Sequence, residues 1–172
     1  TQPASVRPRA SIASALSNLA IIDGMRGHDD EAFAGWHECL AILQKIGDRA
    51  GIATTYHNMA VTHANRQRFP AALELYRKSL AIGRETGDRP ATAKALIMIG
   101  TSLMHLRDFD GAAASQKEAL EQLEGIGAPD LTVMATHRSA TIAHVQGRLE
   151  EARAHLERAE GIIRKLGHPA GM

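Results

Sequence analysis

The sequence predicts an all-α fold: a solenoid of four helix–turn–helix units, about eight helices in total. Three observations predict it. Residues 8–167 divide without gaps into four 40-residue copies, 8–47, 48–87, 88–127 and 128–167, closed by Gly47, Gly87, Gly127 and Gly167. Small residues recur in fixed columns: Ala32, Ala72, Ala112 and Ala152; Ala20, Ala60, Gly100 and Ala140; Cys39, Ser79, Ala119 and Ala159. Aromatic residues make up only 3% of the chain, and no stretch alternates in the manner of a strand, which argues against a β-sandwich.

Each copy reads as two amphipathic helices, A and B, around a short polar break. In the first copy the break is Gly27-His28-Asp29. In the second, helix A covers about Arg49–Asn65, with Ile52, Tyr56, Met59, Ala60 and His63 at three- and four-residue spacing. The break Arg66-Gln67-Arg68-Phe69 follows, and helix B runs from about Pro70 to Glu85 on Ala72, Leu73, Tyr76 and Leu80. The breaks of the third and fourth copies are Arg107-Asp108 and Gln146-Gly147-Arg148. Asp48 and Asp88 stand where an N-cap accepts backbone N–H groups, and Pro70 and Pro90 suit a first helical turn. The closing glycines suit the left-handed residue that ends helix B. Small columns let helices approach, while Trp36, Tyr76 and Leu156 insert as large knobs; Gln116 is the polar member of that column.

Composition narrows the function classes. With 20 Lys plus Arg against 19 Asp plus Glu, the chain has no electrostatic footprint for nucleic acid. The lone cysteine, Cys39, excludes an internal disulfide and reads as a small packing residue of a reducing compartment. With no apolar run of bilayer length and no signal-peptide pattern, the expected location is cytoplasmic and no membrane partner is expected. His57 and His137 fall in non-adjacent copies, and His137 and His144 lack i, i+4 spacing, so no metal or cofactor is expected. No nucleophile elbow, phosphate-binding glycine loop or carboxylate pair beside a base is present, and the chain does not read as an enzyme.

The columns resemble the tetratricopeptide repeat, whose pattern is a bulky residue, Leu-Gly or Leu-Ala, then Ala, an aromatic and Ala. The first copy matches with Leu16, Leu19-Ala20, Ala32, Trp36 and Cys39, and the second with Tyr56, Met59-Ala60, Ala72, Tyr76 and Ser79. Leu96, Ile99-Gly100, Ala112, Gln116 and Ala119 follow, then a weaker set in Thr136, Ser139-Ala140, Ala152, Leu156 and Ala159. The period is 40 residues, and the late proline is replaced by Gln44, Arg84, Glu124 and Arg164. With its Gly-Asp junctions, that longer repeat is similar to kinesin light chain arrays and the C-terminal arrays of bacterial regulators. The resemblance implies a right-handed solenoid with a concave groove lined by the A helices.

Carried over by column, the resemblance places a peptide-binding groove on Asn18, His57, Asn58, Lys94, Met98, Thr101, Met104, His105, His137, Arg138 and His144. Asn18 and Asn58 hold the position at which such arrays grip a peptide main chain, a task suited to a carboxamide that both donates and accepts. The alternative is that they bond to a neighbouring helix. The groove columns contain Lys94, Arg138 and four histidines but no Asp or Glu, and their methionines form an adaptable apolar floor. The implied partner is a protein or peptide carrying acidic residues beside apolar anchors.

Thr1–Arg7 reads as a linker, and residues 168–172 read as the start of a truncated fifth copy. Without a polar capping helix, the last copy leaves Ile162, Ile163 and Leu166 available for self-association. The sequence therefore suggests a protein-interaction or ligand-sensing fragment of a larger bacterial signalling or transcriptional regulator. The alternatives are a free-standing scaffold, or the regulatory part of an enzyme whose catalytic domain lies outside the chain.

Overall fold

The computed structural model describes residues 6–167, with side chains from residue 8 onward. Of the expected linker 1–7, residues 1–5 lie outside the described residues, and 6 and 7 already belong to the first helix; the expected fifth copy at 168–172 also lies outside. Eight helices and no strand are present among the described residues: α1 Val6–Arg26, α2 Asp29–Ile46, α3 Arg49–Asn65, α4 Phe69–Thr86, α5 Arg89–His105, α6 Phe109–Leu123, α7 Pro129–Val145 and α8 Leu149–Lys165. The fold is an all-α helical repeat. It forms two compact units divided between Thr86 and Gly87, the first holding α1–α4 and the second α5–α8.

Within each unit the odd-numbered helices pack most heavily on the helix that follows. α2 then meets α3 and α6 meets α7, while α1 lies beside α3 and α5 beside α7. Backbone chemistry explains why the chain folds back so sharply. At the end of α2, Gly47 adopts φ 71°, its N–H donates to the Gln44 carbonyl, and the Asp48 N–H donates to the Leu43 carbonyl at 3.0 Å. This paired arrangement satisfies carbonyls that the helix end would otherwise leave unpaired. The next side chain opens α3, since Asp48 Oδ1 accepts from the Gly51 N–H at 2.8 Å. Asp88 caps α5 and Asp108 caps α6 in the same way, at 2.9 Å each.

The A helices also end alike. Positions 27, 67, 107 and 147 all have positive φ, between 57° and 89°, yet only Gly27 and Gly147 are glycines; Gln67 and Arg107 adopt this conformation with a Cβ. The next residue's N–H reaches back five positions, as in Arg68 to the His63 carbonyl (2.9 Å) and Asp108 to the Leu103 carbonyl (2.9 Å). α6 departs from the pattern. It stops at Leu123 after 15 residues, where α2 and α4 run for 18, because Gly125 (φ 75°) precedes the closing Gly127 (φ 65°). A glycine in a helix interior costs about 1 kcal/mol relative to alanine, enough to release the last turn.

The knob column behaves in three ways. Trp36 and Tyr76 are fully buried. Gln116 is buried as well, with its Nε2 donating to the Ile97 carbonyl at 3.0 Å. Gly100 makes room for it: a Cβ on Gly100 would lie 2.5 Å from Gln116 Nε2 and 3.1 Å from the Ala112 carbonyl oxygen. Leu156 corrects the expectation of a fourth knob, for it is 50% exposed. Cys39 is packed as its column predicts, donating to the Ala13 carbonyl at 3.3 Å, and burial raises its thiol pKa above the usual value.

Candidate functional site

In the first unit, the candidate surface lies on the side-by-side helices α1 and α3. Two depressions line it. One, of about 240 Å³, is bordered by Ser14, Ser17 and Asn18 of α1 and Thr54 of α3, with Asp48 at its edge. The other, of about 120 Å³, lies among Ile21 and Met25 of α1 and Asn58, Val61 and Asn65 of α3, with Trp36 at its base. Asn18 is exposed and Asn58 half-buried, and neither carboxamide bonds to another described residue. Helix-to-helix bonding, the alternative role for these two side chains, is therefore not found among the described residues. His57 corrects the groove set: it is buried, with its ring centroid 5.3 Å from that of Tyr76, and so serves packing between α3 and α4.

The second unit carries the remaining positions on α5 and α7. Lys94 and His105 are exposed on α5, while Met98, Thr101 and Met104 are half-buried. The Thr101 hydroxyl donates to the Ile97 carbonyl at 2.9 Å, which leaves its oxygen able to accept. On α7, His137 and His144 are exposed and Arg138 is half-buried. His137, Arg138 and Met134 line a depression of about 570 Å³ with Leu156, Ala159 and Ile163 of α8.

Carboxylates also reach these walls, contrary to the acid-free groove read from the columns. Asp130 and Glu160 line the same depression as His137 and Arg138. Glu160 accepts from Arg164 Nη2 at 2.6 Å, so part of its charge is already offset. Asp48, at the edge of the first unit's larger depression, is engaged in capping α3. Leu156, Glu160 and Ile163 lie on α8, outside the A-helix columns; the i, i+4 and i, i+7 spacing from Leu156 was the available signal in the sequence.

One histidine outside the set has a shifted protonation. His63, on α3, stacks on Phe33 of α2 at 4.6 Å between centroids. Burial, and then the charge of Arg68, lower its pKa below the ordinary histidine value, with Asp29 acting in the opposite sense. Among the described residues, no group of three or more His, Cys, Asp or Glu side chains is placed to hold a metal ion. No helix of the described chain is long and apolar enough to cross a membrane.

Comparison with known proteins agrees with this architecture. A tetratricopeptide-repeat family model matches residues 11–85 and 51–125, and a second tetratricopeptide-repeat model matches 134–158. These matches cover well over half of the sequence, and the chain belongs to the tetratricopeptide-repeat family, a family of protein-interaction modules. Among solved structures, it is similar to BtubC (BKLC) from P. vanneervenii, with 22% identity, TM-score 0.77, and coverage of 93% of this chain and 67% of that one. The apo form of RapI gives 14% identity and TM-score 0.80, covering 91% of this chain and 58% of that one. Nearly identical TPR-like repeats of kinesin light chain type from Podosopora anserina give 18% identity and TM-score 0.71, covering 90% and 76%. At these identities the likeness is one of fold. A search of curated proteins finds no match.

Proposed function

We propose that each unit binds a peptide or helix segment on its odd-numbered helices, the first unit on α1 and α3 and the second on α5 and α7. The observation that carries this reading is the pair Asn18 and Asn58, whose carboxamides have no partner among the described residues and border the two depressions of the first unit. A carboxamide in that state can donate to a carbonyl and accept from an N–H of an incoming main chain, whatever its sequence. Lys94 and Arg138 add positive charge on the second unit, while Met98, Met104 and Met134 supply adaptable apolar contact. With Asp130 and Glu160 beside Arg138, the preference for acidic partners rests chiefly on Lys94.

The module fits best within a bacterial signalling or transcriptional regulator working in the cytoplasm, as the excess of arginine over lysine and the richness in alanine suggest. The exposed Leu156 and Leu166 on and after α8 offer a surface for self-association.

Selection of random peptides displayed on phage against this chain tests the reading. It is expected to enrich sequences that pair carboxylates with apolar anchors, and salt is expected to weaken their binding. The combined variant Asn58→Ala, Lys94→Ala and Arg138→Ala is expected to weaken the selected peptides at least about tenfold, which corresponds to 1.4 kcal/mol. Unchanged affinity in that variant, with an unaltered circular dichroism spectrum, would exclude these helix faces as the binding surface.

A further inference from the structure

A second cavity lies on a different flank of the second unit. It has a volume of about 390 Å³ and is bounded by α6, by Ser139 and Ile142 of α7, and by Arg148, Glu151 and His155 at the start of α8. None of its lining residues belongs to the proposed peptide surface. Ala113 and Leu120 of α6 and the buried Ile142 give it an apolar lining, and the exposed Ala114 and Lys117 border it.

The first unit shows why the space is there. Two repeat periods earlier, the positions of Ala113 and Ser139 are held by Phe33 and Met59. Met59 is buried, and the Phe33 ring packs edge-on against Trp36 at 5.6 Å and tilted against His63 at 4.6 Å. In the second unit an aromatic ring and a thioether are thus replaced by a methyl group and a hydroxymethyl group. The Ser139 hydroxyl is turned back onto the Ala135 carbonyl at 3.1 Å and fills little of the gap. Apolar contacts that the first unit makes internally are open in the second.

The rim has changed together with the floor. His155 stands where the first unit has Leu75, and Lys117 where it has His37. Arg148 is held from both sides, by Glu151 Oε2 on one nitrogen and Gln146 Oε1 on the other, while Gln146 Nε2 donates to Asp110 Oδ1 at 3.0 Å. Glu151 also faces His155 Nε2 at 3.7 Å. Glu151, the one carboxylate lining the cavity, is thus engaged by Arg148 and lies beside His155, and Lys117 is a lining cation with no carboxylate partner among the described residues. Lys117 is exposed and forms no ion pair with a described residue.

We propose that this cavity binds an aromatic ring carrying a nearby carboxylate, with the ring in the space that Phe33 and Met59 fill in the first unit and the carboxylate at Lys117. The same chemistry is offered by a free aryl carboxylate and by the C-terminal phenylalanine of a peptide. Ring burial supplies the apolar contact, and the exposed lysine beside the cavity supplies the preference for an anion.

Titration of the whole chain with 3-phenylpropionate, followed by amide chemical shifts, tests the proposal. A saturable change is expected, confined to residues 113–120, 139–142 and 148–155, with a dissociation constant of about 1 mM for so small a ligand. The uncharged 3-phenylpropanamide is expected to bind about tenfold more weakly. Ala113→Phe, which restores the first unit's side chain, should abolish the change. Ser139→Met serves the same purpose should the first variant overpack the site. Lys117→Gln, at the surface, should weaken the acid to the level of the amide. A tripeptide ending in phenylalanine that binds more tightly than 3-phenylpropionate would assign the site to chain termini, and weaker binding would assign it to free acids. No saturable change, or a change that survives both filling variants, or equal binding of acid and amide, would overturn the proposal.

Discussion

The two units share one backbone plan and fill it differently. The first holds Phe33, Trp36, Tyr56, Phe69 and Tyr76, whereas the second holds only Phe109. At the knob position the first unit buries Trp36 and Tyr76, and the second offers a buried Gln116 and an exposed Leu156. Helix geometry in this fold is therefore specified by the small columns, the caps and the closing turns. Large side chains determine how tightly a unit is filled and where it keeps open space. The same helical hairpin can be tightly filled or can keep an open cavity, depending on a few substitutions in its interior.

The largest expected effect probes that contrast directly. Trp36→Ala should destabilise the first unit by about 3–5 kcal/mol, while Gln116→Ala should cost the second only about 1–2 kcal/mol. Denaturant unfolding of the two variants checks the order. Equal losses would show that the aromatic filling of the first unit adds little.

Next in size is Gly100→Ala. Its new methyl group would meet the Gln116 amide, at a cost of about 1–3 kcal/mol. In a Gln116→Ala background the penalty should shrink, and a double-mutant cycle measures the coupling. An additive cycle would separate Gly100 from the knob column.

Smaller effects are expected at the hairpin turns. Gln67→Gly and Arg107→Gly relieve a Cβ held at positive φ and should stabilise by about 0.5–1 kcal/mol, whereas Gly147→Ala should destabilise by a similar amount. Thermal melts of the three variants test whether one turn geometry governs both units.

The smallest effect depends on pH and should belong to the first unit. Because His63 takes a proton less readily in the folded chain than in the unfolded one, its contribution is intact above the ordinary value of 6.5 and is lost as the pH falls below it. The second unit has Leu103 and Ala143 in that column and should lack this dependence. Amide exchange in α1–α4 compared with α5–α8, measured on either side of that pH, reads the difference. A His63→Leu variant should flatten it.

The fold was largely legible because its signals are local. A cap such as Asp48 acts on the N–H three residues away, and a closing glycine acts on its own φ. What depends on neighbours was not legible. Leu156 occupies a knob column, but burial needs a surface above it, and the column says nothing about that surface. His57 sits in a groove column yet rests on Tyr76, a contact set by how α3 rolls against α4. The carboxylates near Arg138 come partly from α8, a helix that column matching left out. Gly125 stands one period after Glu85, at the expected end of a helix B, and its proximity to Gly127 was a readable sign of the early end of α6 that the closing-glycine column concealed.

Asp48 belongs to two helices at once. Its N–H completes the closing turn of α2, and its side chain caps α3. Neither helix can fray at that junction alone, since opening the turn removes the cap from the next helix. Local melting should therefore spread through the joint, and the last turn of α2 and the first turn of α3 should open as one cooperative step. A two-residue junction of this kind acts as a mechanical coupling between neighbouring hairpins.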